Sequence, residues 1–423
     1  MIKGFDLGKQ FKTNVEVEEG EEKLHQSYDF ATVDKTVKML VGVDGGSTQT
    51  RVMIVDDADD PDMEQYIIPS VSSFVPSDIE IRPQGDSLYN RMDSYLINGK
   101  TKTQTIFTKK RVIRGTKKTD FNGSEERISS SAQKIASDVF YINVIDAIGY
   151  ALCQKFTTNI PKHVKLILGI ALPPDDRASS SNINRFRNEM NGIYTWKHTD
   201  SGVEINIEIE ECHIMTEPEA FIKAYYISMD QDIPEITLHI NGGGRSIGIE
   251  LLENGVPIDS VSRTLAYGGA KLIDDLGVLY AKEKGGRAPQ TKTLQRAIKT
   301  GFMRNGKGFE DVSDLVSVVK KEFAGRIFKD VIKYVFDTQS EITLRDVGEI
   351  SVSGRIFDEG ECAISVAKYL QEEFYQASPQ TEFFTISENF IPLGLIYGVF
   401  GEYGGFLEED EESVAEVVSD NIE

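Results

Sequence analysis

The stretch from Val41 to Val55, VGVDGGSTQTRVMIV, joins two apolar runs through a cluster of Asp, Gly, Ser and Thr residues. This pattern predicts two strands that meet at a tight corner. Glycine lets a backbone turn sharply, and it lets N–H groups approach an anion because no Cβ stands in the way. The corner is therefore a candidate for binding phosphate groups.

A second corner with a partly similar sequence lies at Leu238–Leu252, LHINGGGRSIGIELL. When Asp44 is aligned with Asn241, VDGGSTQTRV lies over INGGGRSIGI, and each has an acidic or amide residue followed by paired glycines. Either corner alone is more typical of an ordinary glycine-rich turn, and neither matches a Walker loop or a dinucleotide-binding fingerprint. Together they predict two similar halves that face each other across a cleft and hold a polyphosphate from both sides.

The chain of 423 residues is too long for one ordinary core, and its alternating strand and helix patterns predict α/β layers in both halves. Two polar or acidic ends flank these halves. The predicted division is a polar N-terminal extension (1–38), domain I (39–232, with a final helix from 389–405), domain II (233–388) and an acidic C-terminal tail (406–423).

Composition narrows the class of protein. A net charge of −22 argues against broad direct contact with nucleic acid. No apolar run is long enough to cross a bilayer, and the N-terminal segment lacks the apolar region of a secretory signal. Three cysteines without metal-ligand spacing indicate a reducing, cytoplasmic compartment. The basic segment 108–118, TKKRVIRGTKK, is either a solvated hairpin or a contact for an acidic face of another copy or an adaptor.

Further segments accompany the two corners in order: YINVIDAIGYAL (141–152), LILGIALPPDDRASSSNINRFRNEM (166–190), IMTEPEAFIKAYY (214–226), ISVSGRIFDEG (350–360) and SENFIPLGLIYGVFG (387–401). With the corners, they resemble the actin-like ATPase superfamily, and within it the ParM-like plasmid-segregation actins. The resemblance covers about Met39 to Gly405. It implies an actin-like α/β fold, in which two lobes, each a mixed β-sheet flanked by helices (duplicated ribonuclease H-like domains), surround a nucleotide cleft.

The resemblance also implies ATP or GTP with Mg²⁺ as the bound group. Asp44 would organise the water shell of the metal, and Glu217, with Asn241, would orient the attacking water, with Glu219 as the second candidate. The implied nucleotide-binding residues are Gly45, Gly46, Ser47, Thr48, Gln49, Arg51, Gly242, Gly243, Gly244, Arg245, Lys271, Ser353, Gly354 and Arg355. Two departures from the family matter: Asn241 stands where Asp is usual, and Ser353-Gly354-Arg355 replaces a Gly-Gly loop, which leaves adenine or guanine preference open.

The implied function is a filament-forming ATPase. Nucleotide binding would close the cleft and promote a head-to-tail filament of this chain, and hydrolysis would weaken it. The filament would move plasmid DNA through a ParR-like DNA-binding adaptor, so that centromere DNA is contacted only indirectly and no membrane is involved. The main alternative is a sugar kinase of the same fold with Asp175 or Asp176 as its base. A chaperone-like or cell-shape actin is less favoured, since the sequence has no chaperone substrate domain and no obvious amphipathic membrane helix.

Overall fold

The first strand is paired on both sides within the first of two large sheets. The computed structural model describes residues 31–46, 49–57, 63–70, 72–75, 92–101, 105–114, 124–126, 135, 138–199, 201–305, 308–337, 341–354, 356–357, 365–386 and 390–407. Strand β1 (Thr32–Gly45) turns back antiparallel into β2 (Gln49–Val55), so the first predicted strand pair is confirmed. On its other side β1 pairs in parallel with β8 (Ile160–Leu172), which pairs in parallel with β10 (Glu204–Thr216).

These strands belong to the first of two large sheets. Its remaining strands are β3 (Gln65–Pro69), β4 (Ser72–Val75), β5 (Met92–Thr101), β6 (Thr105–Arg114), β7 (Ser124–Glu126) and β9 (Gly192–His198). The order across the described part of this sheet is β3-β2-β1-β8-β10-β9-β5-β6-β4-β7. Because β1, β8 and β10 are parallel neighbours, their carboxyl ends meet at one edge.

The second sheet repeats this plan. It contains β11 (Ile236–Gly242), β12 (Ile247–Glu253), β13 (Val256–Pro257), β14 (Arg263–Leu265), β17 (Glu349–Ser353) and β18 (Glu382–Ile386), and β15 (Phe302–Asn305) pairs with β16 (Gly308–Asp311) as a separate hairpin. Strands β11 and β12 form the second predicted hairpin, which is confirmed. Strands β11, β17 and β18 are parallel neighbours, so their carboxyl ends also share one edge.

Helices cover both sheets. They are α1 (Asp138–Phe156), α2 (Pro174–Arg177), α3 (Ser180–Met190), α4 (Glu217–Met229), α5 (Gly269–Lys284), α6 (Thr291–Thr300), α7 (Ser313–Val331, continued by a π-helical turn at Ile332–Phe336), α8 (Val366–Ala377) and α9 (Ile391–Tyr403, continued by a 3₁₀ turn at Gly404–Leu407). None of the helices in the described ranges is long and apolar enough to span a membrane.

The alternation of β1 shows how the first sheet is sandwiched. Met39, Val41 and Val43 belong to the core cluster that contains α1, whereas Leu40 belongs to the cluster that contains α9. Successive side chains of a strand point to opposite faces, so α1 and α9 cover the two faces. A separate core cluster lies in the second sheet, between β11, β12 and β17 and the helices α5 to α8.

The start of β1 differs from the expected domain boundary. The strand begins at Thr32 rather than near Met39, because Thr32–Lys38 already pair with Ile160–Lys165 of β8, with a bulge between Val33 and Thr36. Most of the predicted extension and nearly all of the acidic tail lie outside the described residues, and so do residues 115–118 of the basic segment. Its residues 108–114 lie in β6 and pair with β5. The division into domains otherwise stays a prediction.

Candidate functional site

The carboxyl ends of the two parallel strand sets meet at one contact. Strand β10 ends at Thr216, and Glu217 opens α4 directly after it. Strand β11 ends in Asn241-Gly242. The Asn241 side-chain amide donates a hydrogen bond to Glu217 Oε2, so an edge of the first sheet is joined to an edge of the second. The Glu217–Asn241 contact is the junction between the two sheets. Glu217 is half-buried, and Asn241 is only 7% exposed.

Helix α4 holds Glu217 at a fixed position. Its N-cap is Thr216, whose hydroxyl accepts from the Glu219 amide at 3.0 Å, while the Glu219 carboxylate accepts from the Thr216 amide at 3.4 Å. The same carboxylate accepts from Lys223 Nζ at 2.8 Å. Glu219, the second candidate for orienting water, therefore caps the helix, whereas Glu217 contacts Asn241. The water-orienting role of either residue stays a prediction.

Asp44 and Arg51 form a buried ion pair at the end of β1. They face each other in the register of β1 and β2, and Arg51 Nη1 donates to Asp44 Oδ2 at 2.9 Å. Asp44 is 3% and Arg51 6% exposed. The guanidinium thus neutralises the carboxylate within the hairpin, so the pair acts as one unit. The expected contacts of Asp44 with a hydrated metal and of Arg51 with phosphate stay predictions.

The two glycine corners leave no room for side chains. A Cβ on Gly46 would lie 2.6 Å from the Gln49 carbonyl oxygen, and one on Gly243 would lie 2.9 Å from that of Ser246. Gly354, with φ of +96°, follows β17, and a Cβ there would lie 2.5 Å from the Gly242 carbonyl oxygen. Each close approach is possible because no side chain intervenes. The Gly46 and Gly243 amides donate within these turns, to the carbonyl oxygens of Asp44 and Ser246 at 3.1 and 2.9 Å.

The second corner is fixed to the start of α5. The amides of Gly269 and Ala270 donate to the carbonyl oxygens of Gly243 and Gly244 at 3.1 and 2.8 Å. A helix N-terminus carries a partial positive charge and favours anions. The corner Gly242–Ser246 therefore lies between the carboxyl end of β11 and the positive end of a helix.

The other predicted nucleotide-binding residues divide into four groups. Gly45 is buried against Phe140 of α1, and Gln49 and Arg245 are half-buried at their corners. Lys271 lies in the first turn of α5, but its ammonium pairs with Asp275 one turn further along the helix. Ser47, Thr48 and Arg355 lie outside the described residues. Gly242 and Ser353 are buried where β11 and β17 end side by side.

Comparison with known proteins gives structural matches alone, since no protein-family model and no curated protein matches the chain. Ta0583, an archaeal actin homologue also solved with ADP, superposes with a TM-score of 0.60 at 15% identity, over 85% of this chain and 97% of that chain. Bacillus thuringiensis ParM with AMPPNP gives a TM-score of 0.57 at 14% identity, over 85% and 98%. The Alp12 filament structure gives 0.54 at 16% identity, over 86% and 99%.

The chain has the actin-like fold. What it shares with these structures is the architecture, and the predicted fold class is thereby confirmed. In this actin-like fold the two sheets are the cores of the two lobes, and the Glu217–Asn241 contact lies between them. The donor set at the junction suits a polyphosphate with a hard divalent cation, because carboxylate and amide oxygens lie beside backbone corners that admit no Cβ.

Two features of the actin-like junction were missed from the sequence. Thr216 donates to Oε2 of Glu250, a fully buried carboxyl on β12, so the cap of α4 is tied to the second lobe. Burial raises the pKa of Glu250 to about 8. His239, also fully buried, lies two residues before Asn241 and contacts Ser351 and Ser353 of β17. Only the capping motif of Thr216 leaves a signal in the sequence. Glu250 lies 34 residues further along the chain, and the two serines that His239 contacts lie more than a hundred residues further along.

Proposed function

We propose that this chain is a nucleotide-dependent, filament-forming ATPase. ATP or GTP with Mg²⁺ binds between the two glycine corners, closes the lobes and favours a head-to-tail filament, and hydrolysis weakens that filament. The proposal rests chiefly on the Glu217–Asn241 contact, which brings a water-orienting carboxylate and an amide to the point where the two lobes meet. The matched archaeal structure with ADP, the ParM structure with AMPPNP and the Alp12 filament support it by analogy.

Each residue has a role that follows from its place. We assign the corners Gly45–Gly46 and Gly242–Gly244 to the phosphates, with the dipole of α5 beside the second corner. The Gly46 and Gly243 amides donate within the turns, to the carbonyl oxygens of Asp44 and Ser246, so phosphate binding would require them to exchange partners. A bound Mg²⁺ would neutralise charge on the phosphates, and we assign its water shell to Asp44. Glu217 accepts a hydrogen bond from the attacking water and aims it, which lowers the barrier by positioning rather than by covalent chemistry.

The cellular role that we propose is movement of plasmid DNA through a DNA-binding adaptor. A net charge of −22 disfavours direct DNA contact by this chain, so an adaptor of ParR type would provide it. Head-to-tail contacts that do not close into a ring give open filaments, which can push or pull such a cargo. In an electrophoretic assay the chain alone should leave plasmid DNA unshifted, and a shift without an adaptor would contradict this arrangement.

The sugar-kinase alternative is weakened at one of its two candidate bases, Asp176. Asp176 has no exposed surface. Asp175 lies at the start of α2, where burial raises its pKa and its amide donates to Thr264 Oγ1 at 3.5 Å. A catalytic base must reach the hydroxyl of its substrate, and the buried Asp176 carboxyl cannot do so.

The test is sedimentation and light scattering of the purified chain with ATP, with GTP and without nucleotide, together with phosphate release. We expect sedimentable polymer only with a triphosphate, followed by phosphate release and disassembly. Glu217→Ala should slow phosphate release at least tenfold and leave polymers that persist, whereas Glu372→Ala, an exposed glutamate of α8, should behave as the wild type. Soluble protein in all three conditions, or rapid disassembly of the Glu217→Ala polymer, would refute the proposal.

A further inference from the structure

A row of buried polar side chains lies behind the junction on β11. Thr237, His239 and Asn241 alternate along the strand and therefore point to the same face. Thr237 and His239 have no exposed surface. The neighbouring parallel strand β17 places Ser351 opposite His239 and Ser353 opposite Asn241. The polar row is thus two strands wide, and it ends at the residue that contacts Glu217.

The imidazole of His239 bridges the two serines. Its Nδ1 lies 2.7 Å from Ser351 Oγ, and its Nε2 lies 2.9 Å from Ser353 Oγ. The ring also packs on Phe221 of α4, with centroids 4.8 Å apart. Burial lowers the pKa of His239 to about 3, so the ring is neutral near pH 7 and has one donor nitrogen and one acceptor nitrogen.

The hydrogen bonds of this row all point the same way, each donor facing the next residue toward Glu217, in a single pattern set by the Ser353 proton. Ser353 Oγ donates to Asn241 Oδ1 at 3.2 Å, so its single proton is used and it accepts from His239 Nε2–H. His239 Nδ1 then accepts from Ser351. With its oxygen engaged by Ser353, the Asn241 amide turns its NH₂ group toward Glu217. An unbroken series of hydrogen bonds therefore leads from Ser351 to the Glu217 carboxylate.

We propose that His239 is a positioning residue for nucleotide hydrolysis: through Ser353 and Asn241 it fixes the orientation of the Glu217 carboxylate that aims the attacking water. The inference rests on the proposed function of Glu217. It also gives a reason for asparagine at position 241, because an ionised aspartate there has no proton to donate to Glu217. Ser353 belongs to this series, since its hydroxyl contacts both His239 and Asn241.

The first test is Ser353→Ala, which breaks the series with the loss of one oxygen atom. We expect the single-turnover rate of hydrolysis to fall about tenfold, which corresponds to about 1.4 kcal/mol, with nucleotide affinity within about twofold of wild type. Ser351→Ala should give a smaller loss of the same sign, because His239 can then exchange its donor and acceptor nitrogens. Thr237→Val is the matched control: it removes another buried hydroxyl from the same face of β11, and its rate should be unchanged.

A double-mutant cycle with Glu217→Gln separates positioning from a structural role. If Ser353 acts through Glu217, Ser353→Ala should cause no further loss of rate in the Glu217→Gln background. Losses that simply multiply, or a Ser353→Ala enzyme as fast as Thr237→Val, would overturn the inference while leaving the proposed function intact. A wild-type chain that hydrolyses no nucleotide would overturn both.

Discussion

Gly394→Ala tests how much the close packing of α4, which begins at Glu217, against α9 contributes to stability. Gly394 faces Ala220 of α4, one turn beyond Glu217. A Cβ at position 394 would lie 1.6 Å from the Ala220 carbonyl oxygen and 2.4 Å from its carbonyl carbon. Both obstacles are backbone atoms, so no side-chain rotation can relieve the overlap. The two helices would have to move apart.

The size of this movement determines the expected loss in the free energy of unfolding. Cβ atoms essentially never approach other heavy atoms closer than 3.0 Å, so α4 and α9 would have to separate by more than an ångström. The core between them, which contains Phe221 and Leu395, would lose its close packing. Overpacking of a core usually costs about 1–3 kcal/mol, and a collision with backbone falls at or above the upper end. We therefore expect a loss of about 3 kcal/mol in the free energy of unfolding.

The assay is urea unfolding followed by circular dichroism, with Gly401→Ala as the matched control. Gly401 lies in the same helix, and a Cβ there would have no heavy atom within 4 Å. Alanine is favoured over glycine within a helix by up to about 1 kcal/mol, so this control should be neutral or stabilised. Equal unfolding midpoints for the two variants would refute the reasoning, since it attributes the whole difference to the contact with Ala220.

Two further predictions concern charged groups at the junction. In the folded chain the pKa of Glu250 is raised from 4.5 to about 8, so its proton stabilises the fold fully below pH 4.5 and this contribution is lost as pH rises through 8. The melting temperature of the wild type should therefore fall more between pH 6 and 9 than that of Glu250→Gln, and parallel curves would contradict the assignment. Asp44→Asn keeps an oxygen for Arg51 but removes the charge, so Mg²⁺-dependent binding of a fluorescent nucleotide should weaken about tenfold or more; unchanged binding would reject the role of Asp44.

Local composition was sufficient to predict the two hairpins and α4. Paired glycines between apolar runs permit little besides a tight turn, and both turns are present at the ends of β1 and β11. Thr216, Pro218 and Glu219 form a helix-start pattern that the structure realises as a capping box. These features depend on residues a few positions apart, which is why one sequence specifies them.

The partners of the site residues could not be predicted in the same way. Glu250 lies within an apolar strand, and only the approach of α4 shows that its carboxyl is buried against Thr216. The sequence shows His239 only as a single histidine in an apolar strand. The two serines that contact it lie on β17, more than a hundred residues later. Arg51 was expected to face phosphate, and the register of β1 and β2 brings it to Asp44. The contacts of Glu250 and His239 depend on the packing of separate elements, whereas the Arg51–Asp44 pair lies within one hairpin and depends on its register.

Helix α4 connects these separate observations. Its first residue, Glu217, contacts Asn241 of the second lobe, its N-cap contacts Glu250 there, and its next turn packs without clearance on α9 of the first lobe. A rotation of one lobe against the other therefore changes the hydrogen bonds at the start of α4 before it changes the packing behind it, since hydrogen bonds between side chains adjust more readily than backbone contacts. The orientation of Glu217 is thus coupled to the angle between the lobes, so that under the proposed function closure of the cleft would also align the attacking water.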